Sequence, residues 1–99
     1  VFGITQINSE IPGRFSLEQN YPNPFNPSTK IRFSVPKSGL VNISVYDVTG
    51  RKVSEIMNKQ INAGTYETDF YAGNISSGVY FYTMRAGSFA ETKKLIVIK

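Results

Sequence analysis

The sequence contains no cysteine, histidine or tryptophan, and these absences exclude several classes of function. Without cysteine or histidine, the chain cannot form a disulfide, a Cys–His zinc site, an iron–sulfur cluster or a histidine-activated nucleophile. The remaining reactive groups are 7 Asp and Glu residues, the Lys and Arg residues, and the hydroxyls. This composition argues against an enzyme, and we expect neither a cofactor nor a bound metal.

Long apolar runs and clustered charges are also missing. The net charge of +4 comes from 11 Lys and Arg against 7 Asp and Glu, and no basic run is longer than two residues. Such scattered charge predicts neither a nucleic-acid partner nor a polybasic membrane anchor. No segment approaches the roughly 20 apolar residues that a membrane-spanning helix needs. With 40% apolar residues in 99 positions, the chain can build one core.

Short alternating runs are what the sequence does contain, from Gly13 onwards. In one of them, Ile31, Phe33 and Val35 alternate with polar residues, as in a strand with one buried face. Clusters of Gly, Pro and Asn separate these runs. The pattern predicts an all-β sandwich or barrel.

Four stretches do not follow this simple alternation. Val79–Tyr82 has large side chains on both faces, which predicts a central strand covered on both sides. Leu95–Ile98 is continuously apolar, so we expect it to be buried or docked. Within Lys52–Ile61 the apolar residues have helical spacing, but we favour a strand at Lys52–Met57 followed by an irregular return. Residues 1–14 are interpreted as a linker or edge segment from a parent protein.

The most unusual segment is rich in proline. Pro22, Pro24 and Pro27 are too closely spaced to lie in a helix or in the interior of a sheet. We expect a stiff crossover loop between two sheets, with Tyr21 and Phe25 placed over the core. A docking epitope or a polyproline-type ligand is the functional alternative for this loop.

A tight turn is predicted directly after the strand that ends near Asp47. Gly50 stands where such a turn needs a positive φ, and Arg51 follows it. The Asp47 carboxylate is expected to accept backbone N–H bonds within the turn.

Six tyrosines raise the alternative of a carbohydrate-binding module, because flat aromatic rings stack on sugars. Tyr46 and Tyr71 fall opposite the apolar faces of their strands and are the candidate platform residues. The other tyrosines are more simply core residues or cross-strand pairs. Glu67 and Asp69 lie two positions apart on one strand, which we interpret as a solvated polar face.

The last segment is a β-prone apolar run with lysines on both sides, and two interpretations of it are open. It is either an ordinary final strand whose lysines protect an edge, or a strand that a partner recognises by strand addition. Its residues are Lys93, Lys94, Leu95, Ile96, Val97, Ile98 and Lys99.

Five motif blocks follow one another in a distinctive order. They are Phe15–Thr29 with its Tyr-Pro-Asn-Pro-Phe-Asn-Pro core, Val45–Val53, Ala63–Tyr66, Ser77–Gly87 and Lys93–Lys99. In this order the blocks closely resemble the type A C-terminal sorting domain of the bacterial type IX secretion system. That family is akin to the Ig-like segment of flagellar hook-capping proteins.

The resemblance implies an Ig-like or fibronectin-III-like antiparallel β-sandwich of about seven strands over residues 15–99. It implies a non-catalytic address on a secreted protein of Bacteroidota or relatives, with the parent cargo preceding Val1. The implied partners are the outer-membrane machinery and a sortase-like peptidase. The implied location is the cell surface or the medium, after transit through the periplasm.

The resemblance also assigns motif residues. The loop motif corresponds to Pro22, Asn23, Pro24 and Phe25, and the hairpin motif to Asp47, Gly50 and Arg51. Lys93–Lys99 corresponds to the terminal segment recognised by the translocon, which favours the recognition interpretation of that strand. Val1–Arg14 carries no cleavage signature, so no processing site is assigned.

Overall fold

A computed structural model describes residues 4–8 and 10–99 as two antiparallel sheets packed face to face. The first sheet has the order β1-β6-β3-β2 and the second the order β5-β4-β7-β8. The predicted all-β sandwich is confirmed, but the described residues form eight strands rather than about seven. The strands are β1 (Ile4–Asn8), β2 (Ser16–Leu17), β3 (Ser28–Val35), β4 (Gly39–Tyr46), β5 (Lys52–Ile61), β6 (Gly64–Tyr71), β7 (Gly78–Ala86) and β8 (Phe89–Val97).

Strand β1 lies at the edge of the first sheet and pairs with β6. It belongs to the 1–14 segment that was predicted as a linker or edge, of which residues 1–3 and 9 lie outside the described residues. Without β1, three strands (β2-β3-β6) face four (β5-β4-β7-β8), which is the division of strands in a seven-stranded Ig-like sandwich.

The core lies between the two sheets because each strand turns one face inward. In β3 the predicted alternation holds, and Ile31, Phe33 and Val35 are fully buried. From the second sheet, Ile43 and Val45 meet them as fully buried residues of β4. Two inner faces of this kind form the usual sandwich core.

Strand β5 is longer than predicted. The strand at Lys52–Met57 is confirmed, but it continues to Ile61 instead of ending in an irregular return. Its pairing with β4 shifts register twice, and Val53 and Ile56 are the residues without a partner. Such bulges insert extra residues into a strand, which explains why its apolar residues have a helix-like spacing.

The two strands with long apolar runs are covered on one side only. Strand β7 is central, as predicted, but its outer face is open, with Val79 39% exposed. In the terminal run, Leu95 and Val97 are buried whereas Ile98 is 51% exposed. The prediction that β7 is covered on both sides is wrong, because the sandwich has only two layers. The terminal run was expected to be buried or docked, and it is both in part: Leu95 and Val97 are core residues, and the backbone of Ile96 and Ile98 bonds to the proline-rich segment.

Two tyrosines stabilise loops that precede their strands. The Tyr66 hydroxyl donates to the carbonyl of Asn62 at 2.7 Å, and the Tyr80 hydroxyl donates to the carbonyl of Ser76 at 2.8 Å. Each bond closes a glycine-containing turn four residues upstream, as in the tyrosine corner of Ig-like sandwiches. These tyrosines are structural.

Candidate functional site

The proline-rich loop lies against the terminal segment. Phe25 pairs with Val97 in a parallel bridge, in which the Phe25 N–H donates to the Ile96 carbonyl at 3.1 Å. The Ile98 N–H donates to the Phe25 carbonyl at 3.0 Å. The Asn23 side chain adds a third bond, accepting the Ile96 N–H at 2.9 Å. The loop motif and the terminal segment, far apart in sequence, therefore form one unit.

These bonds occupy the outer edge of β8. A fourth bond comes from the Gln19 side chain, whose Nε2 donates to the Lys94 carbonyl at 2.6 Å. An edge strand normally presents unpaired N–H and C=O groups to a potential partner strand. Between Lys94 and Ile98, residues of the loop region already bond to this edge, so a partner strand could add here only by displacing the loop.

The two aromatic residues of the loop have different environments. Phe25 is 2% exposed and packs edge-on against Phe70, with ring centroids 6.1 Å apart. Tyr21 is 80% exposed, and its backbone forms two 3.0 Å bonds with the backbone of Lys30. The expectation that both rings cover the core is therefore correct for Phe25 and wrong for Tyr21. The predicted connection between two sheets is also wrong, because the loop joins β2 to β3 within the first sheet. The peptide bonds that precede Pro22, Pro24 and Pro27 are cis.

A buried tyrosine of β7 holds the start of the loop. The Tyr82 hydroxyl donates to the Glu18 carbonyl and accepts the Asn20 N–H, both at 2.7 Å. Burial raises the pKa of this hydroxyl well above its ordinary value. Tyr82 therefore stays neutral and connects the second sheet to the segment that leads into the prolines.

Two buried polar residues complete this network. The Asn20 amide donates to the Pro22 carbonyl at 3.1 Å and to the Thr29 hydroxyl at 3.0 Å, and Thr29 donates to the same carbonyl at 2.8 Å. The asparagines of the proline-rich segment are expected to hydrogen-bond its backbone, and Asn20 does so. The roles of Thr29 and Tyr82 were not predicted. The available signal was the position of Asn20 and Thr29 at either end of the proline run.

The hairpin motif forms the predicted turn. The Asp47 carboxylate accepts the Thr49 N–H at 2.9 Å, the Thr49 hydroxyl at 2.6 Å and the Arg51 N–H at 3.1 Å. The Arg51 side chain adds an ion pair at 3.3 Å. Gly50 has the expected positive φ of 88°. These bonds, led by that from the Thr49 hydroxyl, lower the pKa of Asp47 to about 2.

The low pKa of Asp47 makes hairpin stability dependent on pH. Because the folded pKa lies below the unfolded value near 3.8, the stabilisation is complete above about pH 4 and is lost as the pH falls towards 2. We expect Asp47→Asn to unfold more easily than the wild type at pH 7, and the difference to vanish near pH 2. Carboxyl NMR titration of the wild type checks the pKa directly, and a value near 4 would contradict the expectation.

The end of the terminal segment is held by the loop between β6 and β7. The Lys99 N–H donates to the Ser77 hydroxyl at 2.9 Å, and its ammonium donates to the Gly73 carbonyl at 3.0 Å. The hairpin motif lies at this same end of the second sheet. It begins directly after Tyr46, which is paired with Phe81 on β7, and Phe81 is in turn paired with Lys94 on β8. The loop, the hairpin and the terminal segment therefore share one end of the sandwich.

The two candidate sugar-platform residues are not brought together. Tyr46 lies on the outer face of the second sheet, where it pairs with Phe81. Tyr71 lies on the outer face of the first sheet, where it pairs with Ser28. Their rings therefore lie on opposite sides of the sandwich, so this geometry does not support one sugar platform.

The paired carboxylates of β6 form ion pairs with β3. Asp69 meets Lys30 at 2.7 Å, and Glu67 meets Arg32 at 3.4 Å. This agrees with the solvated-face interpretation of the two carboxylates.

Within residues 4–8 and 10–99 there is no group of three or more acidic side chains that could hold a metal ion. The same residues include no helix long and apolar enough to cross a membrane.

The described features define a two-sheet β-sandwich module whose loop motif and terminal segment are bonded to each other. The family model described as "Secretion system C-terminal sorting domain" matches residues 19–99. The chain therefore belongs to this family, which confirms its resemblance to the type IX sorting domain. No curated protein matches the chain.

Proposed function

We propose that this domain is the address by which the type IX outer-membrane translocon recognises a parent protein, and that it acts by being bound rather than by catalysis. The parent precedes Val1, crosses the periplasm, and reaches the cell surface or the medium. The observation that carries this proposal is the bonding of the loop motif to the terminal segment. In the folded domain, two motifs that are separate in sequence are joined by hydrogen bonds into one surface.

The terminal segment has a double role in this proposal. Leu95 and Val97 are core residues, whereas Lys94 and Ile98 are exposed. Deleting Lys93–Lys99 would remove core side chains and the partners of the loop together. If export were lost after that deletion, the loss could result either from unfolding of the domain or from loss of the recognised residues. The test therefore uses the intact chain.

The experiment joins the whole chain to the C-terminus of a periplasmic reporter in a bacterium that carries the type IX system. We expect the reporter to reach the cell surface or medium, and to remain in the periplasm in an otherwise identical strain without the outer-membrane translocon. The reporter without the chain is the matched control. If a sortase-like peptidase removes the domain, the mass of the exported reporter is lower than that of the intact fusion by about 11.1 kDa, the mass of the chain. Periplasmic retention of the fusion in the complete strain would refute the proposal.

A further inference from the structure

The outer face of the second sheet carries a patch of adjacent apolar and aromatic side chains. Tyr46 and Phe81 are cross-strand partners, and so are Val79 and Ile96. All four point away from the core, because their neighbours along each strand, such as Val45, Tyr80 and Tyr82, are buried. We call Tyr46, Val79, Phe81 and Ile96 the outer patch.

The outer face of the first sheet provides a comparison for the outer patch. There β3 and β6 oppose Lys30 to Asp69, Arg32 to Glu67, and Ser34 to Thr65. These three cross-strand pairs are polar, with Tyr71 beyond them at the end of β6, and the cations Lys30 and Arg32 each meet a carboxylate. The outer patch differs because its cross-strand pairs are apolar or aromatic. Val79 is exposed, and Tyr46, Phe81 and Ile96 are half-buried by one another and their neighbours on the same sheet face. Contiguous apolar side chains that reach the surface mark interaction sites.

Positive charges flank the outer patch without neutralising partners. Lys94 stands directly opposite Phe81 on the neighbouring strand, and it is exposed. Arg85 is exposed as well and donates to the Tyr46 hydroxyl at 3.3 Å. In the described part of the chain, no carboxylate lies within ion-pair distance of Lys94 or Arg85, whereas Lys52 on the same face is paired with Glu55.

The edge of β8 beside the outer patch is already bonded. Its groups at Lys94, Ile96 and Ile98 meet Gln19, Asn23 and Phe25. A partner that approaches the folded domain therefore meets side chains on the outer face before it meets free backbone groups on this edge.

We propose that the outer patch, flanked by Lys94 and Arg85, is the surface that binds the sorting machinery. Its partner is a protein segment that combines acidic with apolar side chains. The carboxylates meet the two cations, and the apolar side chains cover Phe81 and Ile96. This inference rests on the proposed function. It assigns the contact with the sorting machinery to side chains on one face of the second sheet rather than to the whole terminal segment.

Charge reversal of an exposed residue tests this surface without disturbing the core. Lys94→Glu and Arg85→Glu are the test variants. Lys37→Glu is the matched control, because Lys37 is exposed in the β3–β4 connection, outside the outer patch and at the opposite end of the sandwich from Lys94. Binding of the purified chain to immobilised, detergent-solubilised type IX translocon is measured together with export of the reporter fusion. Like-charge contacts at an interface weaken binding strongly. We expect a roughly tenfold or greater rise in Kd for each test variant, lower export, and no change for Lys37→Glu.

The outcomes separate this inference from the proposed function. Failure of the wild-type fusion to be exported would refute the proposed function, and the inference with it. Normal export of the wild type, with equal binding by Lys94→Glu and Arg85→Glu, would overturn the inference alone. Retained binding by Lys94→Arg would support a charge contact. Tighter binding by Asn23→Ala with no effect of the charge reversals would indicate strand addition at a released edge, and would also overturn it.

Discussion

Replacing Phe25 by alanine is expected to destabilise the domain by about 3–5 kcal/mol, the usual cost of truncating a buried phenylalanine. The ring is almost completely buried and packs edge-on against Phe70 between the two sheets. Its loss leaves a cavity where the loop meets the core. The measurement is urea-induced unfolding of the variant and the wild type, followed by circular dichroism.

Tyr21→Ala is the matched control, because it removes the other aromatic ring of the same loop. Tyr21 is exposed, and its two bonds to Lys30 use backbone atoms that alanine retains. Its effect should stay within about 0.5 kcal/mol. Equal losses in the two variants would show that Phe25 is not the residue that attaches the loop to the core.

Replacing Tyr82 by phenylalanine is expected to cost about 2–3 kcal/mol, although it removes a single oxygen atom. That oxygen donates to the Glu18 carbonyl and accepts the Asn20 N–H. Without it the buried Asn20 N–H loses its partner, which costs about 1–3 kcal/mol. The Glu18 carbonyl adds less, because it is only partly buried and water can replace the hydroxyl there. The free energy of unfolding, from the same urea titration, gives the result.

Tyr46→Phe is the control for Tyr82→Phe, since it makes the same chemical change on the outer face of the neighbouring strand. The Tyr46 hydroxyl makes one long bond of 3.3 Å to the exposed Arg85, so its removal should change stability by less than about 0.5 kcal/mol. If Tyr82→Phe were as stable as Tyr46→Phe, the tyrosine would not hold the start of the loop.

The features that could be predicted from the sequence depend on neighbouring residues. Alternation at Ile31, Phe33 and Val35 specifies which face of β3 is buried, because successive side chains of a strand point to opposite faces. The turn at Asp47 and Gly50 is equally local, since the carboxylate bonds to groups at most four residues away.

The features that could not be predicted depend on contacts between distant residues or on register. Asn23 and Ile96 bond across 73 positions, and no local pattern indicates that pairing. The bulges at Val53 and Ile56 break the alternation of β5 and give its apolar residues a helical spacing, so the continuation of the strand to Ile61 was not predicted. In the same way, the prolines do not reveal which loop aromatic turns inward, and only the folded core distinguishes Phe25 from Tyr21.

The candidate site was predicted only in part for the same physical reason. Motif order indicated the loop and the terminal segment as separate elements, but not that they bond to each other. The outer patch was concealed because Val79–Tyr82 and Leu95–Ile98 are apolar on both faces, which is also what a fully covered strand shows. Alternating burial in the folded chain distinguishes the core residues of these runs from the exposed ones.

The most direct measurement of the central claim is the exported fraction of a periplasmic reporter joined to the whole chain. It is compared between cells with the type IX outer-membrane translocon and otherwise identical cells without it. We predict that most of the reporter lies at the surface or in the medium in the first strain and in the periplasm in the second. Equal exported fractions in the two strains would contradict the claim that this domain is a sorting address for that translocon.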